Sequence, residues 1–129
     1  MQNYKVDDQN RLFVHAGYSS MHGPSREHYM TNYGWDRTLW ETALAIHGRV
    51  QKDEQVFPQR LKLFKEIYIG HTPTINWEVE HPWLRTNVWN IDTGAAFTGK
   101  LSVMDINTKE YWQSDPLPEL YPSEKGRNT

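Results

Sequence analysis

The chain has 129 residues, a formal net charge of −2 and a pI near 6.3, which allows one domain with a modest core and argues against the broad basic surface that nucleic acid requires. It contains no cysteine, so disulfides and thiolate chemistry are excluded. No apolar run approaches a membrane span and the N-terminus lacks a signal-peptide pattern, so a cytoplasmic protein without a membrane partner is the default expectation.

The mean hydropathy is −0.82, yet 13% of residues are aromatic, including 6 Trp and 7 Tyr. Aromatic side chains can carry a core, or mark surface meant to be covered.

In chain order, Tyr4–Val6 and Arg11–His15 are short β-prone runs separated by Asp7-Asp8-Gln9-Asn10, which has hairpin-turn chemistry. The second run is apolar up to His15 and is broken by Ala16-Gly17. Tyr18 to Gly34 reads as a long loop with at most one helical turn near Arg26 to Met30, and loops of this length tend to be functional. Thr38 to His47 is the best helix. Thr38 and Glu41 form a capping-box pattern, Leu39, Trp40, Ala43, Leu44 and Ile46 recur at helical spacing, and Gly48 suits the C-cap. Arg37, just before this helix, is a surface ion-pair partner or an anion clamp.

Gln51 to Gln55 is a charged connector, and Pro58 starts a helical turn through about Leu61. Glu66–Ile69 reads as a buried strand stopped by Gly70-His71-Thr72-Pro73. The expectation is that Gly70 supplies an unusual backbone conformation and that Pro73 ends the ladder. Trp77 to Arg85 reads as an irregular loop and Asn87 to Ile91 as a strand. Lys100–Ile106 and Glu110–Gln113 form a hairpin around Asn107-Thr108-Lys109. From Asp115 the chain is proline-containing and charged, with little to bury.

His15 and His71 each end a buried strand, so a sheet whose strand ends converge would bring them together. Neutral imidazoles suit Zn, Mn, Fe or Ni. The alternative is that His71 is a turn residue with a satisfied ring. His47 sits at a helix end, where positive charge interacts well with the dipole; His22, His28 and His81 read as solvated loop residues. Asp92-Thr93-Gly94 reads as a turn in which the Asp carboxylate bonds nearby amides. The spacing offers no complete catalytic constellation, and no residue is assigned a catalytic role.

Four segments together resemble the calcineurin-like metallophosphoesterases, specifically the bacterial serine/threonine protein phosphatase and diadenosine tetraphosphatase branch. They are Leu12-Phe13-Val14-His15-Ala16-Gly17, Trp35-Asp36-Arg37, Ile67-Tyr68-Ile69-Gly70-His71-Thr72-Pro73, and Ile91-Asp92-Thr93-Gly94-Ala95 with Gly99-Lys100-Leu101. They follow the family's order. The resemblance implies that His15 and His71 ligate one metal of a two-metal centre (Mn, Fe or Zn), that Arg37 contacts substrate phosphate, and that the Asp92 segment is structural. The family's D-x-H-G, G-D-x-x-D-R-G and G-N-H-E motifs are absent, so a full two-metal centre is not possible from this chain alone.

The resulting expectation is an α+β fold: the β-rich C-terminal half of a two-sheet sandwich, with one main helix at about 38–47. Residues 1–113 would form a partial metallophosphoesterase domain and 114–129 a poorly ordered tail. Such a chain would be inactive alone and would self-associate or meet a partner supplying the N-terminal half. The competing expectation is a non-catalytic, aromatic-rich binding module, or one chain of a split phosphatase.

Overall fold

The computed structural model describes residues 3–96 and 99–115, so most of the expected tail lies outside the described residues. Contacts divide the chain into two compact units: residues up to 72 together with 84–89, and 73–83 together with those from 90 onward.

The first unit is built on a mixed sheet. Strands β1 (Tyr4–Val6) and β2 (Arg11–Val14) pair antiparallel, with Tyr4 opposite Val14. The turn between them is held by Asp7, whose Oδ1 accepts the N–H groups of Gln9 (3.0 Å) and Arg11 (2.9 Å) while Oδ2 accepts Arg11 Nε at 2.6 Å. Desolvation pulls the Asp7 carboxyl up, but the bonds from Arg11 and Gln9 outweigh it and leave the group below its ordinary value.

Strand β3 (Glu66–Ile69) runs parallel to β2, with Arg11 opposite Glu66, Leu12 opposite Ile67 and Phe13 opposite Tyr68. Leu12, Val14, Ile67, Tyr68 and Ile69 are all buried. That explains why these runs are continuously apolar rather than alternating: a strand covered on both faces has no polar face. The sheet order is β1-β2-β3-β5-β4, where β4 is Trp83–Arg85 and β5 is Val88–Asn90.

Parallel strands need a long crossover, and the segment between β2 and β3 supplies it with a 3-10 turn at Pro24–Arg26 and helices α1 (Asn32–Trp35), α2 (Thr38–Ile46) and α3 (Gln59–Lys62). The main helix α2 buries Leu39, Trp40 and Ala43 and ends before Gly48, which has φ +75°.

Its N-terminus differs from the sequence expectation. The Thr38–Glu41 capping box does not form; Asp36 is the cap. Asp36 Oδ2 accepts the Leu39 N–H (2.9 Å) and Oδ1 accepts the Thr38 hydroxyl (2.7 Å). The cap thus falls two residues earlier than expected: the Glu41 N–H that Thr38 would have served donates to the Arg37 carbonyl instead, and the Asp36 carboxylate adds negative charge where the helix dipole favours it.

Arg60 of α3 ties the helices together. Its guanidinium donates to Tyr18 O (2.8 Å), Thr38 Oγ1 (3.0 Å), Thr38 O (3.1 Å) and Thr42 Oγ1 (2.8 Å), and its own carbonyl accepts the Tyr18 hydroxyl at 2.6 Å. Burial pushes the Tyr18 phenol well above its ordinary value, so it remains a donor.

In the second unit, β6 (Ser102–Met104) and β7 (Tyr111–Gln113) form a two-stranded antiparallel ribbon. Its turn is the expected one: Asp105 Oδ1 accepts the N–H groups of Asn107 (2.8 Å) and Thr108 (3.1 Å), and Lys109 has φ +68°. Trp77 to Arg85, expected as an irregular loop, follows a 3-10 helix at Thr74–Trp77 and ends in the strand β4. Elements of three or four residues are too short to display a hydrophobic period, which is also why α1 is not evident in the sequence.

Burial is uneven. The large buried apolar side chains among the described residues, from Leu12 to Val88, belong to the first unit, whereas the second unit buries Pro73, Thr74, Pro82, Asn90 and Thr93. Of the six tryptophans only Trp40 is fully buried, while Trp35 is 70% and Trp112 58% exposed. No helix of the described residues is long and apolar enough to cross a membrane.

Replacing Arg60 with Met removes four donors and strands the carbonyls and hydroxyls they served. We expect a loss of about 2 kcal/mol in the free energy of unfolding, read from urea melts; a loss below about 0.5 kcal/mol, the ordinary range of a surface substitution, would show that Arg60 is not the tie between α2 and α3.

Candidate functional site

The parallel register of β2 and β3 determines where the two strand-end histidines go. Strands that run the same way and start in register finish at the same edge. The Gly70 N–H donates to the His15 carbonyl at 2.7 Å, two residues beyond the last pair, Phe13 and Tyr68. The two imidazoles follow: the His15 and His71 ring centroids lie 5.4 Å apart at an interplanar angle of 60°. His15 is exposed and His71 half-buried.

His71 is held in an unusual way. The Thr72 N–H donates to the Gly70 carbonyl at 2.8 Å, closing a three-residue turn around His71, which has φ +69°. This is a γ-turn of the rarer, strained hand. The sequence suggests that Gly70 takes the left-handed backbone, but it falls on the histidine. Gly70 is needed in line to carry both the bond to His15 and the bond from Thr72. Strained backbone persists only where its surroundings over-determine it, and it concentrates at functional sites.

The Trp35-Asp36-Arg37 segment is locked by the Asp36 cap. A Cβ on Gly17 would lie 2.6 Å from Asp36 Oδ2 and 3.0 Å from Leu39 Cβ. Gly17 is therefore required by close approach of the carboxylate, and the His15-Ala16-Gly17 and Trp35-Asp36-Arg37 segments fit together. Trp35 meets His71 edge-to-face, with centroids 5.2 Å apart at 81°. Arg37 stands at the start of α2, where its carbonyl accepts the Glu41 N–H at 3.0 Å, and its side chain is exposed.

Three other titratable residues that the sequence singles out make structural contacts. Asp92 is the turn residue its sequence suggests: Oδ1 accepts the Gly94 N–H at 3.0 Å, and Gly94 has φ +92°. His47 Nδ1 accepts the Thr86 N–H at 2.6 Å. The His81 ring stacks on Tyr111 at 6.5 Å. No group of three or more His, Cys, Asp or Glu able to hold a metal ion occurs among the described residues. Among the described residues His15 and His71 thus offer two imidazoles without a third His, Cys, Asp or Glu grouped with them.

One anchor of this loop region is not legible in the sequence. The Glu27 carboxylate accepts the Ser19 N–H, the Ser19 hydroxyl (2.9 Å), the Ser20 N–H (3.2 Å) and Asn32 Nδ2 (3.1 Å). Desolvation opposes ionisation, but these donors prevail and hold the Glu27 carboxyl down at about 2. The long loop from Tyr18 to Gly34 is therefore pinned at its middle. The only hint in the sequence is that Ser19, Ser20 and Asn32 are residues that bond locally.

The chain matches no family model and no curated protein.

Two predictions follow from this geometry. If His71 bears the strain of its turn, a glycine relieves it, so H71G should be more stable than H71A by about 1 kcal/mol in denaturant melts; equal stabilities would mean that the turn is unstrained. The Glu27 carboxyl sits at about 2, against 4.5 for an ordinary glutamate. Its folded value is depressed, so the stability it contributes is complete above pH 4.5 and is lost as the pH falls toward about 2. Thermal melts across that window should decline more steeply for the wild type than for Glu27→Gln.

Proposed function

We propose that this chain carries part of a metal-dependent phosphoesterase centre of the calcineurin-like kind, and is inactive by itself. One observation carries the reading: the parallel register of β2 and β3 brings the His15 and His71 ring centroids to 5.4 Å from each other, at the strand ends of two of the four segments that resemble the family. Imidazole is the ligand type for Mn, Fe or Zn.

A divalent ion held there would act as a Lewis acid toward a phosphoryl oxygen. In this reading His15 and His71 each present a neutral ring nitrogen. Arg37, exposed at the start of α2, is the candidate for neutralising phosphate charge, which an arginine does well because its fork of N–H donors matches two oxygens. Two ligands give weak binding. A bridging carboxylate, further ligands and a general acid must come from outside these residues, supplied by a partner that carries the missing motifs or by a longer chain. The substrate would be a phosphomonoester, phosphoprotein or dinucleoside polyphosphate.

Calorimetric titration with Mn²⁺ and Zn²⁺ tests the ligand assignment. We expect weak binding by the wild type, reduced at least about tenfold in the His15→Ala/His71→Ala double variant, in the range seen when a metal site loses supporting groups. Identical affinities would remove the site.

A second reading has its own observation. In the second unit Trp77 and Trp83 lie with ring centroids 6.4 Å apart at 52°, and Trp77 is 39% exposed. A paired, partly exposed aromatic surface suits a flat ligand, which is the behaviour of a non-catalytic binding module.

A further inference from the structure

Trp35 is an exposed aromatic side chain on a rigid mount. It is 70% exposed, yet the backbone around it is fixed on both sides. The Asp36 N–H donates to the Asn32 carbonyl at 2.9 Å, and the Asp36 carboxylate is committed to Thr38 and Leu39. The surface beside it is open, because a Cβ on Gly34 would meet nothing within 4 Å. A T-shaped contact with His71 at 5.2 Å and 81° engages at most one indole face, so at least one face remains available.

A lone exposed tryptophan is ordinarily incidental, since single apolar residues are common on surfaces. Three facts together oppose it here. Its mount costs little further ordering on binding. It touches His71, the residue in the strained turn. It is two residues from the candidate phosphate clamp Arg37.

We infer that Trp35 is a stacking platform selecting ligands in which a planar aromatic group is joined to a phosphate, such as a nucleotide or an aryl phosphate. The ring would lie on the indole while the phosphate reaches toward the His15–His71 edge. The phosphate half rests on the phosphoesterase reading; the aromatic half does not. Stacking on a protein aromatic tolerates many rings, because each offers a π-face, so the platform sets a class of ligand rather than one base.

The six indole N–H groups provide a direct readout by ¹⁵N–¹H correlation spectra, with the Trp35 signal identified by its loss in Trp35→Ala. The full chain is titrated with AMP, ribose 5-phosphate and adenosine, each with and without Mn²⁺. We expect AMP to bind about tenfold more tightly than ribose 5-phosphate, in line with one stacked base, and to shift the Trp35 indole signal. The advantage should vanish in Trp35→Ala and be partly retained in Trp35→Phe, which keeps a ring. Equal affinity for AMP and ribose 5-phosphate, or an AMP advantage unchanged in Trp35→Ala, overturns the platform. If adenosine shifts Trp35 while neither phosphate nor Mn²⁺ adds affinity, the platform stands and the phosphoesterase reading fails.

Discussion

The bond from the Gly70 N–H to the His15 carbonyl, 2.7 Å long, is the contact on which the rest of the candidate site depends. It extends the β2–β3 ladder past its last paired residues and fixes the two strand ends against each other. Parallel pairing is what makes this possible. An antiparallel partner would have placed His71 at the far end of β2. Parallel pairing in turn demands a long crossover, and that crossover contains α1, α2 and α3. The helices, the loop pinned by Glu27 and the Trp35-Asp36-Arg37 segment are all consequences of returning the chain to the starting edge of the sheet.

The second organising contact is the Asp36 carboxylate. Both its oxygens are used to start α2, and the backbone of Gly17 packs where any side chain would collide with it. One charged group thereby couples the segment after β2 to the segment before α2. Trp35 and Arg37 flank it and inherit its position. Capping is usually discussed as a helix-stability device; here it also sets the backbone positions of two residues with opposite chemistry, one a flat apolar surface and one a cation.

The sequence reveals the long-range skeleton better than the local details. Continuous apolar runs at Leu12–Val14 and Ile67–Ile69 identify β2 and β3 because burial on both faces removes polar residues from both. The hairpin turns at Asp7 and Asp105 and the Asp92 turn are legible because Asp bonds nearby amides wherever it stands in a turn. The helix cap is misread for the same physical reason: Thr38 could serve the Glu41 amide and Asp36 the Leu39 amide, and spacing alone does not say where the helix starts. The left-handed residue is misassigned to Gly70 because propensity favours glycine, whereas the two backbone bonds at Gly70 leave His71 to make the turn. β4 and α1 are too short to have a period. Trp40 reads correctly as core, but nothing in the residue type separates it from the exposed Trp35, because burial is set by what the rest of the chain packs against each. For the candidate site, the identities of His15, His71 and Arg37 come from motifs, and the closeness of the two histidines comes from the strand direction, which no residue type encodes.

The strain at His71 bears on how such a pair would be used. A non-glycine residue at positive φ costs of order 1–3 kcal/mol, and here it is enforced from both sides, by the bond to His15 and by the bond from Thr72. The cost is met by the sheet when the chain folds, not by a ligand when it binds. An imidazole pair positioned this way is pre-organised: a ligand that meets both rings does not also have to order the backbone. The same rigidity limits what the pair can do. The bonds fix the backbone at both positions, and no third His, Cys, Asp or Glu stands with the pair among the described residues, so a metal bound there would need further donors brought to it. On the phosphoesterase reading proposed above, such a pair would gain affinity steeply once complementary groups arrived and little before, which is the physical basis for expecting weak metal binding by these residues alone.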